Sequence, residues 1–144
     1  MEKYTQRDQL IELANKMFIY TDEQDWELLQ KEVFKNEVHM DMSSLGGPAS
    51  LMTALEVCEM WKTGLEGVDF VNHLAGNYLV SIKEKKAEVF AYATATHFKE
   101  TAKNGRTREF VGKYKLGMVQ TKTGWRINRF VYTLKYMSGN ITLE

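Results

Sequence analysis

The sequence predicts an α+β fold in which three helices in the N-terminal half pack on one face of a strongly curved, mainly antiparallel sheet. Three observations carry this prediction. Apolar residues recur at three- and four-residue intervals as far as Leu65, the period changes to two from Phe70 onward, and short polar turns punctuate everything after that switch.

The first helix spans Thr5 to about Glu23, with Leu10, Leu13, Ala14, Met17, Phe18 and Thr21 on one stripe. Thr5 is its N-cap, and Asp8 completes a capping box in which Asp replaces the usual Glu. Asp25 caps a short second helix carrying Trp26, Leu28 and Leu29, so two helices meet at a sharp corner. Val33 to Met42 reads as a strand with Val38, Met40 and Met42 on one side and His39 and Asp41 on the other. Ser43 to Pro48 breaks regular structure, and Pro48 is placed to open a third helix running to Gly64. Its stripe is Leu51, Ala54, Leu55, Cys58, Trp61 and Leu65.

Four strands follow, Phe70 to Ile82, Ala87 to about Thr101, Glu109 to Thr121 and Trp125 to Met137. The turns between them are Lys83-Glu84-Lys85-Lys86, Lys103-Asn104-Gly105-Arg106 and Lys122-Thr123-Gly124, with Asn104-Gly105 the strongest hairpin signal. Long neighbouring strands on a twisted sheet wrap, and helices across one end then enclose an apolar pocket.

The 144 residues, 44% of them hydrophobic, fit one domain over residues 1–144 with a full-sized core. A formal net charge of zero leaves no field to hold a polyanion, which argues against a nucleic-acid partner. No apolar run is long enough for a membrane span, so no membrane partner is expected either. The single Cys58 excludes an intrachain disulfide; with the charged start Met1-Glu2-Lys3 it points to a reducing, cytoplasmic location.

His39, His73 and His97 are the whole histidine supply. His73 and His97 lie inside apolar strands, where each is either a hydrogen-bonded core residue or a tuned acid or base. Asp22 sits at the edge of the first helix's stripe and is either a corner residue bonded to the next turn or an acid drawn inward. His39 and Asp41 share a strand face but match no metal motif, and no metal or cofactor is expected. Cys58, on an apolar stripe without a neighbouring cation, suits a buried hydrophobe. Lys83, Lys85, Lys86, Lys99, Lys103, Arg106 and Arg108 read as a solvated rim at strand ends. The Met and aromatic residues, Trp61 among them, suit an adaptable apolar cavity for a small hydrophobic molecule.

Five short segments, in order, resemble SnoaL-like domains of the NTF2-like superfamily, the group of scytalone dehydratase and bile acid 7α-dehydratase. They are Ile19 to Trp26 around an Asp-x-x-Asp-Trp corner, Val38 to Asp41, Asn72-His73-Leu74-Ala75-Gly76-Asn77, Ala95-Thr96-His97-Phe98, and Gly124-Trp125-Arg126-Ile127. The resemblance covers nearly the whole chain. It implies an α+β cone whose sheet wraps a pocket, in a homodimer or larger oligomer. It also implies that Asp22 orients a histidine base, with His73 and His97 at the two histidine positions. The family's tyrosines do not carry over: their places are taken by Met17, Thr21 and Met42. The base is therefore present while the group that polarises the carbonyl is replaced, and Tyr92, Tyr114 and Arg129 are the candidates for that task.

The expected function is a cofactor-independent lyase or isomerase acting on a small hydrophobic carbonyl compound. Two competing expectations are a non-catalytic ligand-binding or scaffolding protein that keeps the cone, and an assembly subunit like the small subunits of ring-hydroxylating dioxygenases. Asp22, His73 and His97 around one cavity would favour the first.

Overall fold

The computed structural model describes residues 4–144; the Met1-Glu2-Lys3 start lies outside the described residues. Helix α1 (Gln6–Asp22) begins as expected: Asp8 N–H donates to Thr5 Oγ1 and Thr5 N–H to Asp8 Oδ2. The predicted stripe is the buried one, with Leu10 and Ala14 fully enclosed. Burying a Leu or Met side chain is worth roughly 1.5–3 kcal/mol, so this face rather than helix propensity holds α1 in place.

The chain turns at Gln24 (φ 56°), and Asp25 caps α2 (Trp26–Leu28), which runs on as one π-helical turn, Leu29–Val33. Strand β1 (Phe34–Asp41) buries Val38 and Met40 and exposes His39. A 3₁₀ turn at Ser43–Leu45 leads into β2 (Ala49–Thr53), then α3 (Ala54–Gly64). The third helix therefore starts six residues later than Pro48. Thr53 and Glu56 form the capping box that starts it, and residues 49–53 instead pair antiparallel with β1.

Strands β3 (Phe70–Lys83), β4 (Lys86–Phe98), β5 (Thr107–Thr121) and β6 (Gly124–Gly139) form the antiparallel meander. The six-stranded sheet has the order β2-β1-β6-β5-β4-β3, with β1 and β6 parallel. Two-residue turns occur at Glu84-Lys85 and Lys122-Thr123. Asn104-Gly105 does not make one. It lies in the longer connection 99–106, where Lys103 and Asn104 N–H donate to the Glu144 carbonyl and Asn140 Nδ2 donates to the Gly105 carbonyl. The C-terminal segment takes the bonds that a tight turn would have made.

Three β-bulges decide which side chains face inward. Near Asn77 (φ 57°) in β3 the inward set passes from Val71 and His73 to Tyr78 and Val80, and the Tyr78 hydroxyl donates to Asn15 Oδ1 on α1. In β6 the irregularity at Asn128 shifts the buried positions from Trp125 and Ile127 to Phe130 and Tyr132. The third lies at Lys135 in β6, opposite Val111 and Gly112 of β5. On the outer face, Leu74, Phe70 and Leu79 of β3 stay 76%, 71% and 67% exposed.

Gly112 lets β5 and β6 close on each other. A Cβ there would overlap the Tyr132 ring and approach the Thr133 carbonyl to 2.6 Å. We expect Gly112→Ala to lower stability by about 1–3 kcal/mol, the usual cost of overpacking, read from urea denaturation midpoints.

Candidate active site

The helices and the concave face of the sheet enclose a cavity of about 720 Å³. That is ample for a molecule of several fused or linked rings. Met17, Phe18 and Thr21 of α1 form one wall; Met60 and Trp61 of α3 with Met42 form another; His73, His97, Arg108, Phe110, Tyr114, Phe130 and Tyr132 come from the sheet. Leu45, Met137 and Ile141, all exposed, edge its mouth.

Asp22 is the last residue of α1, where the helix crosses the free edge of β3. Its carboxylate holds His73 twice: Oδ2 accepts the main-chain N–H at 2.9 Å, and Oδ1 lies 2.6 Å from ring Nδ1. An edge strand has main-chain donors without a strand partner, and Asp22 uses one of them while fixing the ring. With Nδ1–H donated to Asp22, the Nε2 lone pair is the basic position. The Phe18 ring packs 5.3 Å from the His73 ring and 5.0 Å, edge to face, from Tyr114.

His97 belongs to a different arrangement. It stands directly opposite Arg108 across β4 and β5, and Arg108 Nε donates to His97 Nδ1 at 3.0 Å. The ring must offer a lone pair at Nδ1, so it is neutral with its proton on Nε2. Burial, then the Arg108 charge, then His73, push its pKa down from 6.5 to about 4. Arg108 also donates to the Ile141 carbonyl at 2.9 Å and lies 5.6 Å from the Phe110 ring centroid. Burial pushes the Arg108 pKa down as well. Tyr114 is pushed up, by burial first and then by Tyr132 and Asp22, and Tyr132 is pushed up to about 12 by burial. Both phenols keep their protons at neutral pH.

Of the residues singled out in the sequence, Met17, Thr21, Met42, Trp61, His73, His97 and Tyr114 line the cavity, and Asp22 is bonded to His73. Two do not reach it. Tyr92 is on the outer face, 41% exposed with the Lys135 ammonium over its ring, because the inward positions of β4 are Ala91, Ala93 and Ala95. Arg129 is exposed on the outer face because the Asn128 irregularity reverses the alternation that runs from Trp125 to Ile127. Arg108 is not part of a solvated rim. It shares its parity with Phe110, Tyr114 and Leu116, and that alternation was the signal that could have placed it on the cavity wall; Tyr132, also there, lies beyond the Asn128 irregularity and had no such signal. His39 is exposed, and among the described residues no three His, Cys, Asp or Glu are grouped to hold a metal ion. Buried Cys58 is pushed up to about 11, which keeps it a thiol. Among the described residues no helix is long and apolar enough to cross a membrane.

The model of the SnoaL-like domain family matches residues 2–131. Among solved structures, the Kfla4162 protein of Kribbella flavida superposes with a TM-score of 0.88 at 23% identity, over 95% of each chain. A protein provisionally assigned as an aromatic ring hydroxylase in Novosphingobium aromaticivorans gives 0.80 at 18% identity, over 98% of this chain and 99% of its own. One provisionally assigned as a scytalone dehydratase in the same organism gives 0.73 at 15% identity, over 91% and 85%. At these identities the likeness is one of fold. No curated protein matches the chain significantly.

The depressed His97 pKa sets a pH dependence of stability. The unfolded chain takes up a proton near pH 6.5 and the folded chain only near pH 4, so stability is complete above about 6.5 and falls as pH drops through that window. Denaturation midpoints between pH 7.5 and 4 should fall by up to about 3 kcal/mol from this residue, and His97→Gln should flatten that segment.

Proposed function

The chain belongs to the SnoaL-like domain family, and on that footing we propose that it is a cofactor-independent lyase or isomerase of the dehydratase type. It takes a proton from the carbon next to a carbonyl of a small hydrophobic compound, with His73 as base and Asp22 as its orienting partner. The observation that carries this reading is the 2.6 Å Asp22–His73 pair on the wall of an apolar cavity. The resemblance in fold to a protein provisionally assigned as a dehydratase supports it.

The chemistry follows from the hydrogen bonds. The α-carbon proton passes to His73 Nε2, and the C–H electron pair moves through the new C=C bond onto the carbonyl oxygen. The imidazolium so formed is stabilised by Asp22, and the protonated phenol of Tyr114 donates to the enolate oxygen. In a lyase, the enolate electrons return, the β-hydroxyl leaves and takes the His73 proton as water. In an isomerase, the same proton goes back to another carbon of the conjugated system. A positioned base contributes typically 10²–10⁴-fold and one oxyanion donor roughly 10²–10³-fold. His97 is a positioning residue for Arg108, since a ring kept neutral by its surroundings supplies no second acid at pH 7.

One observation favours a non-catalytic ligand-binding protein instead. Met17 and Met42 offer no hydroxyl, and the Thr21 hydroxyl donates to the Met17 carbonyl at 2.7 Å. Exchange of the α-protons of 2-tetralone in D₂O, followed by NMR, separates the two readings without knowledge of the natural substrate. We expect the protein to accelerate exchange, His73→Gln to reduce the catalysed rate roughly 10²–10⁴-fold, and Asp22→Asn to reduce it by a smaller factor. Exchange no faster than in buffer makes ligand binding the function.

We further propose that a second copy covers the apolar outer face of β3, giving a symmetric homodimer. Leu74→Lys should then convert the dimer to monomer in sedimentation at micromolar concentration, while a monomeric parent rules the interface out.

A further inference from the structure

Arg108 carries the one arginine or lysine charge on the cavity wall among the described residues, and no carboxylate answers it: the ion pairs are Lys16–Glu32, His73–Asp22 and Arg106–Glu100. The remaining lining is largely apolar. A half-buried guanidinium held by a neutral histidine and a carbonyl keeps its full charge, and a partly desolvated charge without a counterion is costly. Its site is also preorganised. Nε and one terminal nitrogen are committed to His97 and Ile141, and the Phe110 ring packs against it, so the fork cannot swing away.

Its backbone is set apart from that of His73, and its side chain is held toward the mouth. His73 is level with Ala95 on β4 and Phe110 on β5, two strands away from β5's own line, and Arg108 stands two residues further along. Strand spacing of about 4.8 Å and a rise of about 3.4 Å put the two backbones on the order of 12 Å apart. Arg108 is moreover drawn toward Ile141, at the mouth. Tyr114, six residues along β5 from Arg108, serves the reacting end from the other side of His73.

Resting on the reading of His73 as base, we infer that the substrate is an apolar carboxylic acid, its carboxylate paired with Arg108 at the mouth and its hydrophobic body lying inward past His73. The pair fixes the direction in which the substrate enters and therefore which carbon meets Nε2. It also selects against neutral compounds of the same shape, because binding them leaves the guanidinium partly desolvated and unpaired.

Direct binding tests this without any turnover. Calorimetric titration at about pH 7.5 compares 2-naphthylacetate, 9-anthracenecarboxylate and laurate, each with its neutral amide. Each acid should bind roughly 10- to 100-fold more tightly than its amide. The preference should shrink to within about threefold in Arg108→Gln, survive in large part in Arg108→Lys, and be unchanged in Tyr92→Phe on the outer face. Equal affinity of acid and amide in the parent, no binding of any of the acids at about 1 mM, or a preference that persists in Arg108→Gln overturns the assignment. The base at His73 stands or falls separately, by the 2-tetralone exchange, so an inert His73 with an intact acid preference and an active His73 without one are distinguishable results.

Discussion

The double hold of Asp22 on His73 is the constraint on which the site depends. One carboxylate joins the end of α1 to the free edge of β3, and it does so through both the main chain and the ring of a single residue. A carboxylate accepting two hydrogen bonds at one place cannot rotate without losing one of them, so helix position and imidazole orientation are a single variable. The Tyr78 hydroxyl on Asn15 is a second tie between the same two elements, about two helical turns further back. The bulge at Asn77 makes that tie possible by turning Tyr78 inward. Phe18, buried between these ties, carries the alignment to Tyr114 by ring contact.

Electrostatically, the cavity has two ends. At one, the Asp22 carboxylate holds His73 by both main chain and ring; at the other, the Arg108 guanidinium donates to a histidine kept neutral. The two histidines have the same intrinsic chemistry and opposite neighbours, and those neighbours fix a different ring nitrogen as the acceptor or donor in each.

Much of this architecture is readable from residues alone, and the failures have definite causes. The α1 stripe, its Thr5 cap and the four long strands follow from period and capping chemistry, which are local. The start of α3 is misplaced at Pro48, although the Thr53–Glu56 capping box marks it locally, because residues 49–53 join the sheet only when β1 is beside them. The parallel pairing of β1 with β6 is equally non-local. Arg129 shows how one inserted residue defeats an alternation that is otherwise reliable, since the Asn128 irregularity exchanges inside for outside as far as Leu134. Arg108 is the reverse case. Its strand is regular on that side, and charge alone suggested a rim position that parity contradicts. Asp22 and His73 came together through the family resemblance; helix period placed Asp22 only at the margin of a buried face.

The substitutions at Met17, Thr21 and Met42 gain a structural meaning once the sheet is in place. Family members that carry tyrosines there offer hydroxyls from the helix and loop side of the cavity, whereas here that side is thioether and methyl, with the one hydroxyl bonded to its own helix. The Trp61 indole N–H is also directed at the Met42 sulfur, at 3.4 Å, rather than at the cavity interior. Polar donors have instead gathered on the sheet side, as Tyr114, Tyr132 and Arg108. Gly112 makes room for this by letting the Tyr132 ring lie across β5 where any side chain would block it. His73 and the donors thus face the cavity from the edge and floor of the sheet, and the helices supply shape. A hydrogen-bond acceptor placed in this cavity therefore finds its donors on the sheet floor, opposite to the direction in which hydroxyls on the helix side would draw it.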